Sequence, residues 1–142
     1  MDPLDEFGGT GDWVVEMPSG TKVLNANDRG RHWGPRHKLT KQWRGVALVM
    51  ARKEKLPRLE RARIVGVYYP PTRRHRDEAN LAPTLKAIVD GFVDHGLLPD
   101  DNTLYLEGPY PKISDELRQG GQMVMHIYRL SPLGADGADP AT

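Results

Sequence analysis

Six carboxylates and one lysine lie close together in the middle of this chain: Asp77, Glu78, Asp90, Asp94, Asp100 and Asp101, with Lys86 among them. A basic run, Arg73, Arg74 and Arg76, comes just before. Phosphodiester hydrolysis suits such a set, because a metal polarises the phosphoryl oxygen and generates hydroxide near neutral pH. Mg²⁺ takes hard oxygen ligands, typically one or two carboxylates, with water and substrate filling the rest. Asp77 leaves the end of an expected central strand. Asp101 follows the helix that comes next, so a return to the neighbouring strand would bring it near Asp77. Lys86 and Asp90 stand four apart on that helix. Their plain account is a surface ion pair in the less favoured Lys-before-Asp order. The functional account has Lys86 facing the scissile phosphate and stabilising charge in the transition state. Spacing alone favours the plain one. Asp94 points away from the apolar stripe and reads as a solvated surface residue.

Other chemistries find less support. The chain has no cysteine, which excludes a disulfide framework, a thiolate zinc site and a Cys nucleophile, and fits a reducing cytoplasm. No His pair has zinc-protease spacing and no Gly-rich phosphate loop is present. His75 is near enough to Asp77 to be a candidate base. His32 and His37 lie in basic sequence, His95 suits a helix C-terminus, and His126 sits in an apolar strand where a structural role is expected.

These residues need a sheet and helices to hold them. Asp12 to Pro18 and the β-branched, aromatic Arg61 to Tyr69 read as strands, the second central. Asn102 to Glu107 and Gln122 to Leu130 read as two more, separated by a Gly/Pro-containing loop over Gly108 to Gly121. Leu39, Trp43, Val46, Ala47 and Met50 recur at helical spacing, predicting a helix over Pro35 to Lys53 with Trp43 in the core. Leu85, Ile88, Val89, Phe92 and Val93 form the stripe of a second helix over Leu81 to His95. Pro83 fits its first turn and Gly96 the position past its end. Thr72 to Asn80 reads as extended. Residues 1–11 read as a flexible tail and 131–142 as a disordered one, leaving one domain over 12–130. The expected fold is α/β in the α+β sense: a mixed sheet of about four strands with two main helices.

Charge is segregated although its sum is only +1. From Arg29 to Arg63 there are twelve Lys or Arg against Glu54 and Glu60. A basic face attracts phosphate backbones. Arg29, Arg31, Arg36, Lys38, Lys41, Arg73, Arg74 and Arg76 are the candidate DNA contacts, and Trp33 and Trp43 could stack on bases. No apolar run approaches bilayer-spanning length and no signal peptide is expected.

Arg76-Asp77, Asn80, Lys86, Asp90, Gly96 and Asp100-Asp101 resemble the RusA-like Holliday junction resolvases of phages and prophages. The upstream LNANDRGRHW and Trp43-Arg44 are similar to that family's N-terminal part, so the resemblance spans roughly Val23 to Leu130. It implies a homodimer that binds four-way DNA junctions and nicks them in pairs with Mg²⁺, for which Mn²⁺ would substitute. It implies a phage- or prophage-encoded protein acting in recombination or replication in a bacterial cytoplasm. By position, Asp77 and Asp101 would ligate the metal and Lys86 would be the essential cation. Glu78, Asn80, Asp90 and Asp100 are the candidates to complete the metal shell. The sequence departs from the family pattern twice. Ala79 stands where a second aspartate is usual, and the stretch from Asn80 to Lys86 is three residues longer. Glu78 can replace the lost carboxylate only if the backbone turns there, since on a strand it faces away from Asp77. Two further readings stand beside the nuclease: a junction- or DNA-binding protein of weak or no activity, and an unrelated α/β protein whose basic helix contacts RNA or a partner.

Overall fold

The computed structural model describes residues 2–20 and 33–134, with the backbone alone over 33–36. Its elements are β1 (Trp13–Glu16), α1 (Trp33–Lys53), β2 (Ala62–Tyr69), α2 (Ala82–His95), β3 (Leu106–Ile113) and β4 (Gln122–Arg129). They form one sheet in the order β1-β4-β2-β3. The β2–β3 pair is parallel, whereas β4 runs antiparallel to both β1 and β2. This is the expected mixed α+β fold of four strands and two helices.

Alternation divides the sheet into two faces. Ile64, Met123, Met125 and Ile127 join Trp43, Ala47 and Ala51 of α1 and Leu85, Ile88 and Phe92 of α2 in the main core. Trp43 is 1% exposed, so its place is structural. Two glycines permit the close packing. A Cβ on Gly66 of β2 would fall 2.3 Å from Leu85 Cδ2, and one on Gly91 of α2 would fall 2.3 Å from the Arg44 carbonyl oxygen. Where α2 ends, Gly96 takes φ of 106° and its N–H donates to the Phe92 and Val93 carbonyls.

The second face carries Val65, Val67 and Tyr128, and here the structure corrects the sequence reading. Residues 2–11, expected to be a flexible tail, lie packed on this face. Leu4 is 4% exposed, Asp5–Phe7 forms a 3₁₀ turn, and the Phe7 ring stacks on Tyr110 at 5.5 Å. Tyr128 Oη donates to the Gly9 carbonyl at 2.6 Å and Gly11 N–H donates to His126 Nδ1 at 3.1 Å. The Asp and Gly content that reads as fraying instead builds turns between two apolar anchors.

A further correction concerns β3. A strand was expected at Asn102 to Glu107 and a loop after it, but pairing runs from Leu106 to Ile113. Gly108, Pro109 and Pro111 are loop residues by composition, yet an edge strand tolerates prolines because one row of its N–H groups has no partner strand. The register with β2 shifts between Arg63 and Val65, where Gly108 adopts φ of 98°. Likewise Thr72 to Asn80 is not extended throughout: Glu78–Leu81 is a 3₁₀ turn leading into α2. Of the expected C-terminal tail, 135–142 lie outside the described residues.

Candidate active site

The sharpest cluster of charge lies on the exposed flank of α2. Leu85 and Ile88 fix the buried side of the helix, which turns Lys86 and Asp90 outward one turn apart. The chain then leaves α2 at Gly96, buries Leu97 and Leu98, and returns along the helix with Asp100 and Asp101. Lys86 Nζ donates to Asp90 Oδ1 at 2.9 Å and to Asp101 Oδ2 at 2.7 Å. The lysine side chain is 62% exposed and the carboxylates are 25% and 31% exposed. One exposed ammonium is therefore shared between two less exposed carboxylates.

The electrostatics follow from this sharing. The hydrogen bonds from Lys86 to Asp101 and then to Asp90 raise the lysine pKa above its ordinary value, against a smaller desolvation effect. The same bond to Lys86 holds the Asp101 carboxyl below the usual range. Lysine is charged and aspartate ionised across the physiological range.

Asp100 has a different task. Its Oδ1 accepts the Asp101 N–H at 2.7 Å and its Oδ2 accepts from Asn102 Nδ2 at 3.2 Å. Asn102 Oδ1 in turn accepts the Leu104 N–H at 2.9 Å. This local network sets the turn that presents Asp101. Sequence reasoning missed Asn102, although an Asp-Asp-Asn run is a recognisable source of side-chain-to-backbone turns.

Among the described residues, no hydrogen bond or ion pair joins Asp77, Glu78 or Asp100 to Lys86. Asp77 caps the 3₁₀ turn: its Oδ1 accepts the Ala79 N–H at 3.0 Å and its carbonyl accepts the Asn80 N–H at 3.0 Å. Glu78 Oε2 accepts the Ile113 N–H at 3.1 Å. Its side chain lines a separate cleft of about 450 Å³ with Glu6, Phe7, Arg63, Glu107 and Tyr110. A turn does form at Glu78, as replacement of the lost carboxylate would require, but the carboxylate is committed to β3. Asp94, read as a solvated residue, is half of an ion pair across the two helices: Arg44 donates to both its oxygens at 2.7 and 2.8 Å. His95 is more than a dipole partner, since Nε2 lies 2.9 Å from the Leu56 carbonyl.

Among the DNA-contact candidates, Lys38, Lys41, Arg73 and Arg74 are exposed, as is His75. Arg76 is half-buried, with its guanidinium 5.9 Å from the Tyr68 ring centre, and belongs in part to the fold. Arg29, Arg31 and His32 lie outside the described residues, as do the side chains of Trp33 and Arg36.

Among the described residues, no three His, Cys, Asp or Glu side chains group to hold one ion. Asp90 and Asp101 nonetheless supply the one or two carboxylates that Mg²⁺ usually takes from a protein. The donor chemistry fits that ion, with Lys86 bound to both groups. Asp77 is held by its own turn, and among the described residues no hydrogen bond or ion pair joins it to this pair.

No protein-family model matches the chain. A protein of Xylella fastidiosa (strain Temecula1 / ATCC 700964), described as an uncharacterized protein, is 35% identical over 128 residues, covering 87% of this chain and 80% of that one. The two belong to one family.

Proposed function

We propose that this member of that family is a divalent-metal-dependent, structure-selective DNA endonuclease that resolves four-way junctions by paired nicks. The observation that carries the reading is the Lys86 ammonium held 2.9 and 2.7 Å from the Asp90 and Asp101 carboxylates. It supports the resemblance to RusA-like resolvases because the three residues meet despite lying on two elements. In this reading the protein is a homodimer, and each subunit cuts one strand during phage recombination or replication in a bacterial cytoplasm.

Bound Mg²⁺, or Mn²⁺ in its place, supplies Lewis acidity and a hydroxide nucleophile. Asp101 and Asp90 offer oxygens to hold it, and Asp77 a third carboxylate once its turn is engaged by substrate. Lys86 has a flexible stem and an exposed head, so it can leave the carboxylates and meet the charge that develops on the phosphoryl oxygens. Arg73 and Arg74, exposed on the segment entering the 3₁₀ turn, engage backbone phosphates and set register without reading bases.

The test is an end-labelled four-way junction incubated with and without Mg²⁺, beside linear duplex. Symmetric, Mg²⁺-dependent nicks on the junction alone are expected, and Asp101→Asn should abolish cutting while leaving binding. A second reading is favoured by Ala79, whose methyl offers no oxygen ligand where the family pattern has a carboxylate. It makes the chain a junction-binding protein of weak or no activity. Tight junction binding with no cutting under any divalent metal would select it. Affinity for junctions no greater than for duplex would refute both.

A further inference from the structure

We propose that His126 is an acid-sensitive latch that holds the N-terminal segment, residues 2–12, on the second face of the sheet. The geometry rests on one ring. His126 is 3% exposed in β4, near the middle of the sheet. Its Nδ1 accepts the Gly11 N–H at 3.1 Å, which assigns the neutral tautomer with the proton on Nε2. That Nε2 is buried with no hydrogen-bond partner among the described residues.

The surroundings offer a second proton little compensation. The cross-strand neighbours are Val14 of β1 and Val65 of β2, both apolar. From the N-terminal segment the charge that faces the ring is Asp2, which favours protonation but is outweighed by burial. In the imidazolium, Nδ1 carries a proton and becomes a donor, so it opposes the Gly11 N–H instead of accepting it. The docked state then holds a buried charge and loses one of its anchors. Leaving the sheet hydrates the ring and frees the Gly11 amide.

The remaining anchors set what release would look like. Leu4, the Phe7–Tyr110 stack, the Tyr128 bond to Gly9 and the Asp12 carboxylate on the Arg129 N–H all belong to this segment. Glu6 and Phe7 also form part of the wall of the cleft that Glu78 lines. Release of the segment therefore opens that cleft and uncovers Val65 and Val67.

The experiment is amide hydrogen exchange on the whole chain from pH 7.5 to 5, expressed as protection factors so that the intrinsic rate change cancels. The opening constant of residues 2–12 should rise as pH falls below the ordinary histidine value. Its limit is about tenfold per pH unit, the slope for one linked proton. Core amides of β2 and β4 should keep their protection. His126→Asn retains an acceptor at the same position and cannot be protonated, so its segment should show no pH dependence. If that variant does not fold, the ring titration of wild-type His126, followed by NMR, should share its midpoint with the opening. PH-independent protection in the wild type, the same pH dependence in His126→Asn, or a ring midpoint separate from the opening would each overturn the latch.

Discussion

The same substitution, glycine to alanine, should have opposite signs at two helical positions. In Gly91→Ala the new methyl would sit 2.3 Å from the Arg44 carbonyl oxygen, 2.6 Å from Ala47 Cβ and 3.1 Å from Leu48 N. All three belong to α1, and two are backbone, so no side-chain rotation relieves the contact. Restoring a 3.4 Å separation from the Arg44 oxygen requires the helices to part by about 1.1 Å at that point, the difference between 3.4 and 2.3 Å. Close-packed interiors resist such movement, and overpacking costs about 1–3 kcal/mol. Alanine's helix propensity returns at most about 1 kcal/mol. With a backbone contact as short as 2.3 Å the overpacking falls in the upper part of that range, about 2–3 kcal/mol, so the net loss is about 1–2 kcal/mol, or a melting temperature lower by about 3–8 °C for a chain of this size. Gly45, on α1, has nothing within 4 Å of its built Cβ. Gly45→Ala keeps the propensity gain alone and should raise stability by about 0.5–1 kcal/mol. Urea melts of both variants, followed by circular dichroism, measure the difference. Gly91→Ala at or above wild-type stability would refute the tight helix crossing. Gly45→Ala below it would refute the open surface.

The Lys86–Asp101 pair makes a pH prediction. The raised lysine pKa means its contribution is complete below the unfolded value of about 10.4 and is lost as pH rises through the folded one. The lowered Asp101 pKa means its share is complete above about 3.9 and is lost as pH falls through the folded value. The stability difference between wild type and Lys86→Met should thus be flat from pH 5 to 9, at most about 1 kcal/mol for so exposed a pair, and shrink in strong alkali; slope near neutrality in paired urea melts would disprove it. Arg44→Ala should cost about 1 kcal/mol or less by the same melts, since that pair is bidentate but exposed. Leu4→Ala should cost about 2 kcal/mol, the low end for a buried leucine, because its cluster is small. If the chain binds junctions as proposed, replacing Arg73 and Arg74 together with alanine should reduce the slope of log affinity against log salt by about 2 in junction-binding titrations; an unchanged slope would remove them from the proposed contact.

The strong periodicities were legible before any coordinates. Trp43 and Ala47, and Leu85 through Phe92, declare their buried faces through spacing, and Gly96 closes α2 where its position suggests. What escaped has an identifiable cause in each case. Pro109 and Pro111 mask β3 because propensity carries no knowledge of which strand is an edge. Leu4 and Phe7 are too few to register against the glycines around them, yet two apolar side chains suffice when a sheet face awaits them. The Lys86–Asp90 spacing was visible, but the arrival of Asp101 depends on the turn built by Asp100 and Asn102. The Arg44–Asp94 pair depends on how two helices cross, and no local pattern encodes that.

The outer rim of β3 bears on whether the sheet can be extended by another strand. Ser114 N–H points inward to the Tyr68 carbonyl, so residues 109, 111 and 113 face out. Pro109 and Pro111 have no N–H to offer, and the Ile113 N–H is taken by Glu78. That rim therefore lacks the free donors that an incoming strand would need, and it resists sheet extension and fibril growth from this side. Glu78 is thereby a gatekeeper against edge-to-edge sheet aggregation as well as the first residue of the 3₁₀ turn, so its loss would be felt first in solubility.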